Sequence, residues 1–150
     1  LLSNQETFND LFSCIKILER NQLTIPSVGF QRKYNLTKEF LEDEKFGLII
    51  NRKGHLNAEN LTYIMSSKTY GGILVRLDIS GAPHSNPGYI DIPTPHLHIF
   101  DDDHGNGTIA YPLDSYEIFS LIEELCDSLH AFLSYNNVNT NGLTICDTLV

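Results

Sequence analysis

The sequence has few of the residues that build disulfide scaffolds or cysteine metal sites. Its 150 residues include no tryptophan, one methionine and three cysteines. Cys14, Cys126 and Cys146 are odd in number and far apart, which is typical of reduced thiols. Cys14 and Cys126 lie among apolar residues, so we expect them to be buried as small hydrophobic side chains.

Long apolar runs are missing as well. No stretch approaches the roughly 18 apolar residues of a membrane span. The first ten residues, LLSNQETFND, have neither a basic region nor a small-residue cleavage site. We therefore expect no membrane contact and no signal peptide, and a cytoplasmic protein.

Basic residues are scarce. Ten Lys and Arg stand against nineteen Asp and Glu, a formal net charge of −9. Because binding to a phosphate backbone draws on clustered basic side chains, no direct nucleic-acid binding is expected. The charge favours a basic partner surface or a metal ion, although a solvated acidic surface that only maintains solubility explains it equally well.

The apolar pattern predicts a single domain over residues 1–150, of the α+β class. A helix is predicted from about Asn4 to Glu19, with Ser3 and Glu6 as a capping box. A long C-terminal helix is predicted from Asp114 or Ser115, with Glu117 in its first turn, to about Tyr135.

Between these helices the pattern alternates as in β-strands. It predicts a mostly antiparallel sheet of about five or six strands, flanked by the two helices. The strands are expected in KFGLIINRK, NLTYIMSS, GGILVRLDIS, PHLHIF and TIAYPL, and TKEFLEDEK is expected to be a helical turn or polar loop.

Histidines are concentrated in one stretch, GAPHSNPGYIDIPTPHLHIFDDDHG. His96 and His98 are two apart on a predicted strand, so both imidazoles point to the same face. A loop rich in proline and glycine can return His84 to the same sheet edge. Asp78 lies on the polar face of its strand and is a candidate fourth ligand, or a carboxylate that orients the imidazoles.

Three histidines with a carboxylate or water suit zinc, so His84, His96 and His98 are the predicted metal ligands. Asp91 and Asp101 are further candidates for orienting the imidazoles. Two alternatives stay open. One is a structural cluster without metal, and the other is metal-free acid–base catalysis by His96 or His98, with Arg76 holding an anion.

The other histidines show weaker evidence of a functional site. DDDHG lacks the spaced oxygen ligands of a calcium loop and predicts a solvated turn. His104, which lies in that turn, and His130, which is expected on the polar side of the last helix, are weaker candidates. His130 and His55, which follows Gly54 in a turn, are predicted to be ordinary surface residues.

The run LVRLDISGAPHSNPG…IPTPHLHIF…GTIAYPL resembles a family of small uncharacterised proteins from phages, prophages and other mobile elements of Gram-positive bacteria. The shared pattern is an Arg-x-Asp strand, a Pro-His-x-Asn-Pro loop, an H-x-H strand and an Ala-Tyr-Pro-Leu strand, within about residues 70–113. It matches at Arg76, Asp78, His84, Asn86, Pro87, His96 and His98. NPGY departs from it, since the family tends to have Asp before the Gly.

Small acidic phage proteins include anti-CRISPR proteins. The resemblance implies an inhibitor of a basic defence protein in the bacterial host cell, such as the Cas9 of a type II-A system. Cas9 has a strongly basic channel, towards which an acidic protein is steered. In this interpretation the zinc is structural. The alternative is a metal- or histidine-dependent nuclease or hydrolase of a toxin-like system, with Arg76 contacting the anion.

Overall fold

A computed structural model describes residues 2–54, 60–113 and 125–147. The described helices are α1 (Asn4–Ser13), α2 (Leu125–Tyr135) and a 3-10 helix (Asp102–Gly107). The described strands are β1 (Lys16–Leu18), β2 (Gln22–Ile25), β3 (Gln31–Lys38), β4 (Leu41–Asn51), β5 (Leu61–Ser67), β6 (Gly72–Ser80), β7 (His84–Asn86), β8 (Ile90–Ile92), β9 (His96–Ile99), β10 (Tyr111–Pro112), β11 (Val138–Asn139) and β12 (Thr144–Asp147).

The prediction of an α+β domain with five or six strands between two helices is wrong, because the described chain is mostly β. Eight strands form one curled half-barrel sheet in the order β10-β9-β6-β5-β4-β3-β1-β11. Its neighbours are antiparallel, except that β1 and β11 pair in parallel. Strands β2 and β12 form a small parallel pair, and β7 and β8 form a hairpin.

The N-terminal helix is shorter than predicted. Ser3 and Glu6 form the expected capping box, which is confirmed, but α1 ends at Ser13 rather than near Glu19. The apolar residues that follow belong to β1, which pairs with both β3 and β11. Strand pairing with distant segments therefore overrides the helical spacing of these residues, since propensity is a weak prior against tertiary context.

Two further segments differ from expectation. TKEFLEDEK forms neither a helical turn nor a polar loop, because its residues end β3, make the two-residue hairpin turn Glu39-Phe40 and begin β4. The described part of the C-terminal helix, α2, has 11 residues. The predicted helix start at Asp114 or Ser115, together with Glu117, lies outside the described residues, as does His55.

One face of the sheet packs against the main core. Phe46, Leu48 and Ile50 are buried on this face of β4, as their alternation predicts. Leu129, Phe132 and Leu133 of α2 belong to the same cluster. The opposite face of β6 and β9 carries the polar residues of the histidine stretch.

In the described ranges, no helix has the length and apolar character needed to cross a membrane.

A lysine is buried where α1, β1 and the end of α2 meet. Lys16 has no exposed surface. Its Nζ donates to the carbonyl oxygens of Phe12 at 2.9 Å, Cys14 at 3.1 Å and Asn136 at 2.8 Å. These acceptors match the three N–H donors of an ammonium group. Burial lowers the pKa of Lys16 to about 8, so the group is still largely protonated at pH 7.

The lowered pKa of Lys16 predicts a rise in stability at alkaline pH. Between pH 8 and the ordinary lysine pKa of about 10.4, the unfolded chain binds more protons than the folded chain, so the free energy of unfolding increases with pH. Urea denaturation across this range measures the rise. Both the test and control chains carry Cys14→Ala, because burial raises the pKa of that neighbouring thiol and gives the opposite slope. A Lys16→Met control that rises equally would contradict the assignment.

Candidate metal centre

Antiparallel pairing of β6 and β9 brings the Arg-x-Asp and His-x-His motifs together. Asp78 is the register partner of His96, and Arg76 is the partner of His98. Because alternate residues of a strand share a face, all four side chains project from the same side of the sheet. Leu97 is buried in the core on the other side. The prediction that His96 and His98 share one face is confirmed.

Three donor atoms converge at this point. The Nε2 atom of His96 lies 2.9 Å from Oδ2 of Asp78. The Nε2 atom of His98 lies 3.4 Å from the same oxygen. One ligand atom from each of these residues lies within 4.8 Å of the others, and all three residues are buried. Tetrahedral zinc, with ligands at about 2.0–2.1 Å, separates its ligand atoms by roughly 3.3 Å, so the set needs only small movements to hold one ion.

The opposite nitrogen of each ring is occupied by backbone carbonyls. Nδ1 of His96 lies 3.2 Å from the carbonyl oxygens of Ile92 and of Pro93. Nδ1 of His98 lies 2.9 Å from the Gly107 carbonyl oxygen. A carbonyl only accepts, so each Nδ1 carries the proton and, in the neutral ring, each Nε2 presents a lone pair towards Asp78. Three acceptors thus face one another, an arrangement that a cation or a shared proton must stabilise.

The second oxygen of Asp78 is held from the other side. Its Oδ1 accepts from Nε of Arg76 at 2.9 Å and from Oγ1 of Thr62 at 2.8 Å. Burial alone would raise the pKa of this carboxyl, but the contacts with both imidazoles and the guanidinium outweigh burial and hold the pKa well below its usual range. Asp78 is therefore ionised and oriented at neutral pH.

The same contact affects His96. Burial alone would lower the pKa of His96, but its hydrogen bond to the Asp78 carboxylate raises the pKa above its ordinary value. Without a metal, a proton on Nε2 of His96 bridges to Asp78. A metal ion at this position replaces that proton, so metal binding at the cluster is expected to weaken as pH falls.

His84 lies at the rim of the cluster. Strand β7 delivers it beside His98, with ring centroids 4.8 Å apart and the rings edge to face. Its Nε2 lies 2.9 Å from the Thr108 carbonyl oxygen. The hairpin that carries it is anchored because the Asn86 side chain bonds both the N–H and the carbonyl of Ala110. His84 is not part of the converging set, and its role as a metal ligand stays a prediction.

The cluster forms the floor of an open cleft of about 280 Å³. The other lining residues include Arg76, Ala82, Pro83, His84, Phe100 and Gly107. The Arg76 side chain is 43% exposed. Its Nε is bound to Asp78, and its terminal Nη atoms make no hydrogen bond to any residue in the described part of the chain. The cleft therefore combines the candidate metal site with a guanidinium that is available to an anion.

Of the other predictions for the histidine stretch and the remaining histidines, some are confirmed and some are wrong. Asp91 is exposed on β8, and Asp101 accepts from His104 and Gln5, so carbonyls rather than these carboxylates orient His96 and His98. The solvated turn predicted for DDDHG is wrong for Asp101, which is buried and caps the 3-10 helix. His104 is likewise tied to Asp101, at 2.6 Å. His130 is exposed on α2, as expected.

Sequence reasoning missed four contributions to the site. Thr62 becomes a partner of Asp78 only because β5 pairs with β6. The carbonyls of Ile92, Pro93 and Gly107 act through the backbone, and backbone acceptors have no sequence signature. The glycines of DDDHGNG do signal unusual backbone, and Gly107 indeed has φ +82°.

A protein-family model described as "Family of unknown function (DUF6978)" matches residues 3–138. The chain belongs to this family. Neither a curated protein nor a solved structure matched it. The matched range of this DUF6978 chain includes the whole Asp78, His96 and His98 cluster, so the cluster lies within the family's domain.

The tight packing around Gly107 gives a prediction for this DUF6978 protein. A Cβ at Gly107 would lie 2.3 Å from the Phe100 ring, at a positive φ. Gly107→Ala should therefore displace the carbonyl that orients His98, lower the free energy of unfolding by about 3 kcal/mol and weaken metal binding. Urea denaturation and metal titration measure the two effects.

The matched control is Gly142→Ala. Gly142 also has a positive φ, +74°, but a Cβ there meets nothing within 4 Å. Gly142→Ala should therefore lower the free energy of unfolding only by the backbone strain, about 1–2 kcal/mol, and should leave metal affinity unchanged. Equal losses of metal affinity in the two variants would show that the Gly107 carbonyl does not support the site.

Proposed function

We propose that this protein is a metal-dependent hydrolase that binds zinc through Asp78, His96 and His98 and acts on an anionic ester. One observation carries the proposal. Three oriented donor atoms meet at the floor of an open cleft that also presents the Arg76 guanidinium. Structural zinc sites have four protein ligands, whereas catalytic sites have three and keep one position open.

The donor set fits zinc. Two imidazole nitrogens and one carboxylate oxygen are ligands that zinc accepts in catalytic sites. The same set also suits non-haem iron, which makes metal identity part of the test. A bound divalent cation supplies a Lewis acid that polarises a phosphoryl or carbonyl oxygen and acidifies water.

The residues of the chain supply the other functions of the site. The free Nη atoms of Arg76 bind the substrate anion and counter the negative charge that grows in the transition state. Arg76 is positioned because its Nε is bound to Asp78. In the hydrolysis, the oxygen of water forms a new bond to the ester phosphorus or carbon, the ester bond breaks, and the departing alcohol oxygen gains a proton from water.

A structural zinc, the role expected from the sequence, requires one more protein ligand. Among the described residues, His84 is best placed to supply it, because its ring lies against that of His98. The variant His84→Ala separates the two roles. Under the hydrolase proposal the chain keeps its zinc, whereas under the structural alternative it loses zinc and stability together.

The first expected outcome is about one zinc per chain in protein purified without chelator. His96→Ala and His98→Ala should each remove most of it, because two remaining ligands hold the ion weakly. His130→Ala is the matched control, since His130 is exposed on α2 and distant in the chain. Elemental analysis measures the stoichiometry and the identity of the metal. A wild-type content below about 0.2 zinc per chain would contradict the metal site.

The same preparations test turnover of a small phosphodiester such as bis(4-nitrophenyl) phosphate. A chelator should abolish hydrolysis, and added zinc should restore it. Arg76→Gln should lower kcat/KM by about 100-fold, as the loss of a group that stabilises transition-state charge does elsewhere. Lys68→Gln, an exposed charge at the far end of β5, should match the wild type. Zinc-loaded protein without chelator-sensitive turnover would overturn the proposed hydrolase.

An inhibitor of a basic defence protein is the second candidate function, and a specific surface favours it. The turn of the β3–β4 hairpin exposes 98% of Phe40. Glu39, Glu42, Asp43 and Glu44 surround it along the chain. An apolar anchor among acidic residues suits a basic protein surface, such as the nucleic-acid channel of Cas9.

The inhibitor candidate predicts a salt-sensitive complex with Cas9 or another basic effector of a bacterial host. Phe40→Ala should weaken the complex by about tenfold or more, because the ring is the most exposed large apolar group at this turn, ahead of Leu41, and anchors of this kind dominate binding energy. Pull-down and titration at two salt concentrations measure it. Binding that survives both Phe40→Ala and high salt would exclude the hairpin turn as the contact.

A further inference from the structure

We propose that the substrate of the metal site is a single-stranded nucleic acid, lying across the polar face of the sheet from the cleft to the exposed basic end of β3. This inference rests on the hydrolase proposed above and names its substrate class. The strand register, the distribution of charge and the positions of two aromatic rings support it.

The register aligns the metal site with distant strands. One row of paired residues crosses five strands, namely Gln31, Asn51, Thr62, Asp78 and His96. The neighbouring row is Lys33, Ile49, Ile64, Arg76 and His98. Because paired residues in adjacent strands share a face, both rows lie on the face that carries the metal ligands.

The second row has a cation on each side of an apolar centre. Lys33 is exposed, Ile49 and Ile64 are half-buried, and Arg76 borders the cleft. Strands β3 and β6 are separated by three strand spacings of about 4.8 Å, so Lys33 and Arg76 lie roughly 14 Å apart along the sheet. An extended chain with regularly spaced negative charges can contact both cations at once.

Basic residues accumulate at this end of the sheet. Arg20, Arg32 and Lys33 line a cleft of about 400 Å³ beside the start of β3, together with Glu19. Arg52 and Lys53 follow directly after the last residue of β4, Asn51. With Arg76, these make six of the ten basic residues of the chain.

Acidic residues accumulate at the opposite ends of the same strands. They include Glu39, Glu42, Asp43 and Glu44 around the β3–β4 turn and Asp102 and Asp103 after β9. Lys38, Lys45 and Lys68 lie there too but are outnumbered. The net charge of −9 is therefore unevenly distributed, and the surface next to the proposed metal site is more basic than the net charge suggests.

Two aromatic rings favour a nucleic acid over another polyanion. Phe100 lines the metal cleft, and Phe30, 64% exposed, precedes β3 at the basic end. Single-stranded nucleic acids bind where cations follow the backbone and aromatic side chains stack on the bases. An acidic peptide offers the same charge but no flat rings, which makes it the main competitor for this surface.

Fluorescence anisotropy with metal-loaded protein tests the proposal. The probe is a labelled single-stranded 12-mer with phosphorothioate linkages, which resist hydrolysis, titrated between 50 and 200 mM salt. Each phosphate contact on a single strand contributes about 0.7 to the slope of log K against log salt. Lys33→Gln should reduce that slope by about 0.7.

Lys68→Gln is the matched control, because it removes one exposed lysine from the acidic end of the sheet. Its slope should equal that of the wild type. Equal slopes for Lys33→Gln and Lys68→Gln would overturn the proposed path. Failure of the 12-mer to bind, or poly-glutamate binding as tightly as the 12-mer, would overturn the substrate class.

Failure of this inference can be distinguished from failure of the hydrolase. If bis(4-nitrophenyl) phosphate is hydrolysed and the 12-mer does not bind, the hydrolase stands and the nucleic-acid substrate falls. If the chain binds no metal and hydrolyses nothing, the hydrolase fails, and the inference that names its substrate fails with it. If both hold, a 12-mer with natural linkages should be cleaved in a chelator-sensitive reaction.

Discussion

The carboxylate of Asp78 is buried on a strand in the middle of the sheet, and most features of the site follow from that burial. A buried charge is costly unless paired and hydrogen-bonded. One oxygen of Asp78 accepts hydrogen bonds from Arg76 and Thr62. The other oxygen contacts the imidazoles of His96 and His98. These partners come from β5, β6 and β9, so the pairing of the three strands and the stability of the charge depend on one another.

A second layer of contacts orients the imidazoles. The carbonyls behind His96 belong to the segment entering β9, and the carbonyl behind His98 belongs to the end of the 3-10 helix. The Phe100 ring leaves room there only for a glycine. Backbone acceptors are rigid and cannot be protonated, so they keep each Nε2 directed at Asp78 in any protonation state of the cluster. This constancy suits a metal ligand.

Opposite ends of the same strands carry opposite charge, which gives the molecule two distinct surfaces. The Asp78, His96 and His98 cluster, Arg76 and the basic residues beside β3 lie at one end, and the acidic turn with Phe40 lies at the other. A hydrolase for an anionic substrate and an inhibitor of a basic protein would therefore use different surfaces, and the two proposed functions do not compete for residues. Net charge alone conceals this division.

The sequence by itself determined the local chemistry: a capped first helix, the alternating strands β5, β6 and β9, and two imidazoles on one face of β9. These depend on neighbours within a few residues, and so local patterns reveal them. Only the tertiary structure decided that Lys16–Leu18 forms a strand, that Thr62 and Asp78 meet, and that Lys33 shares a row with Arg76. Strand register and sheet order are set by contacts between residues far apart in the chain, and a local pattern carries no record of which strand will be its neighbour.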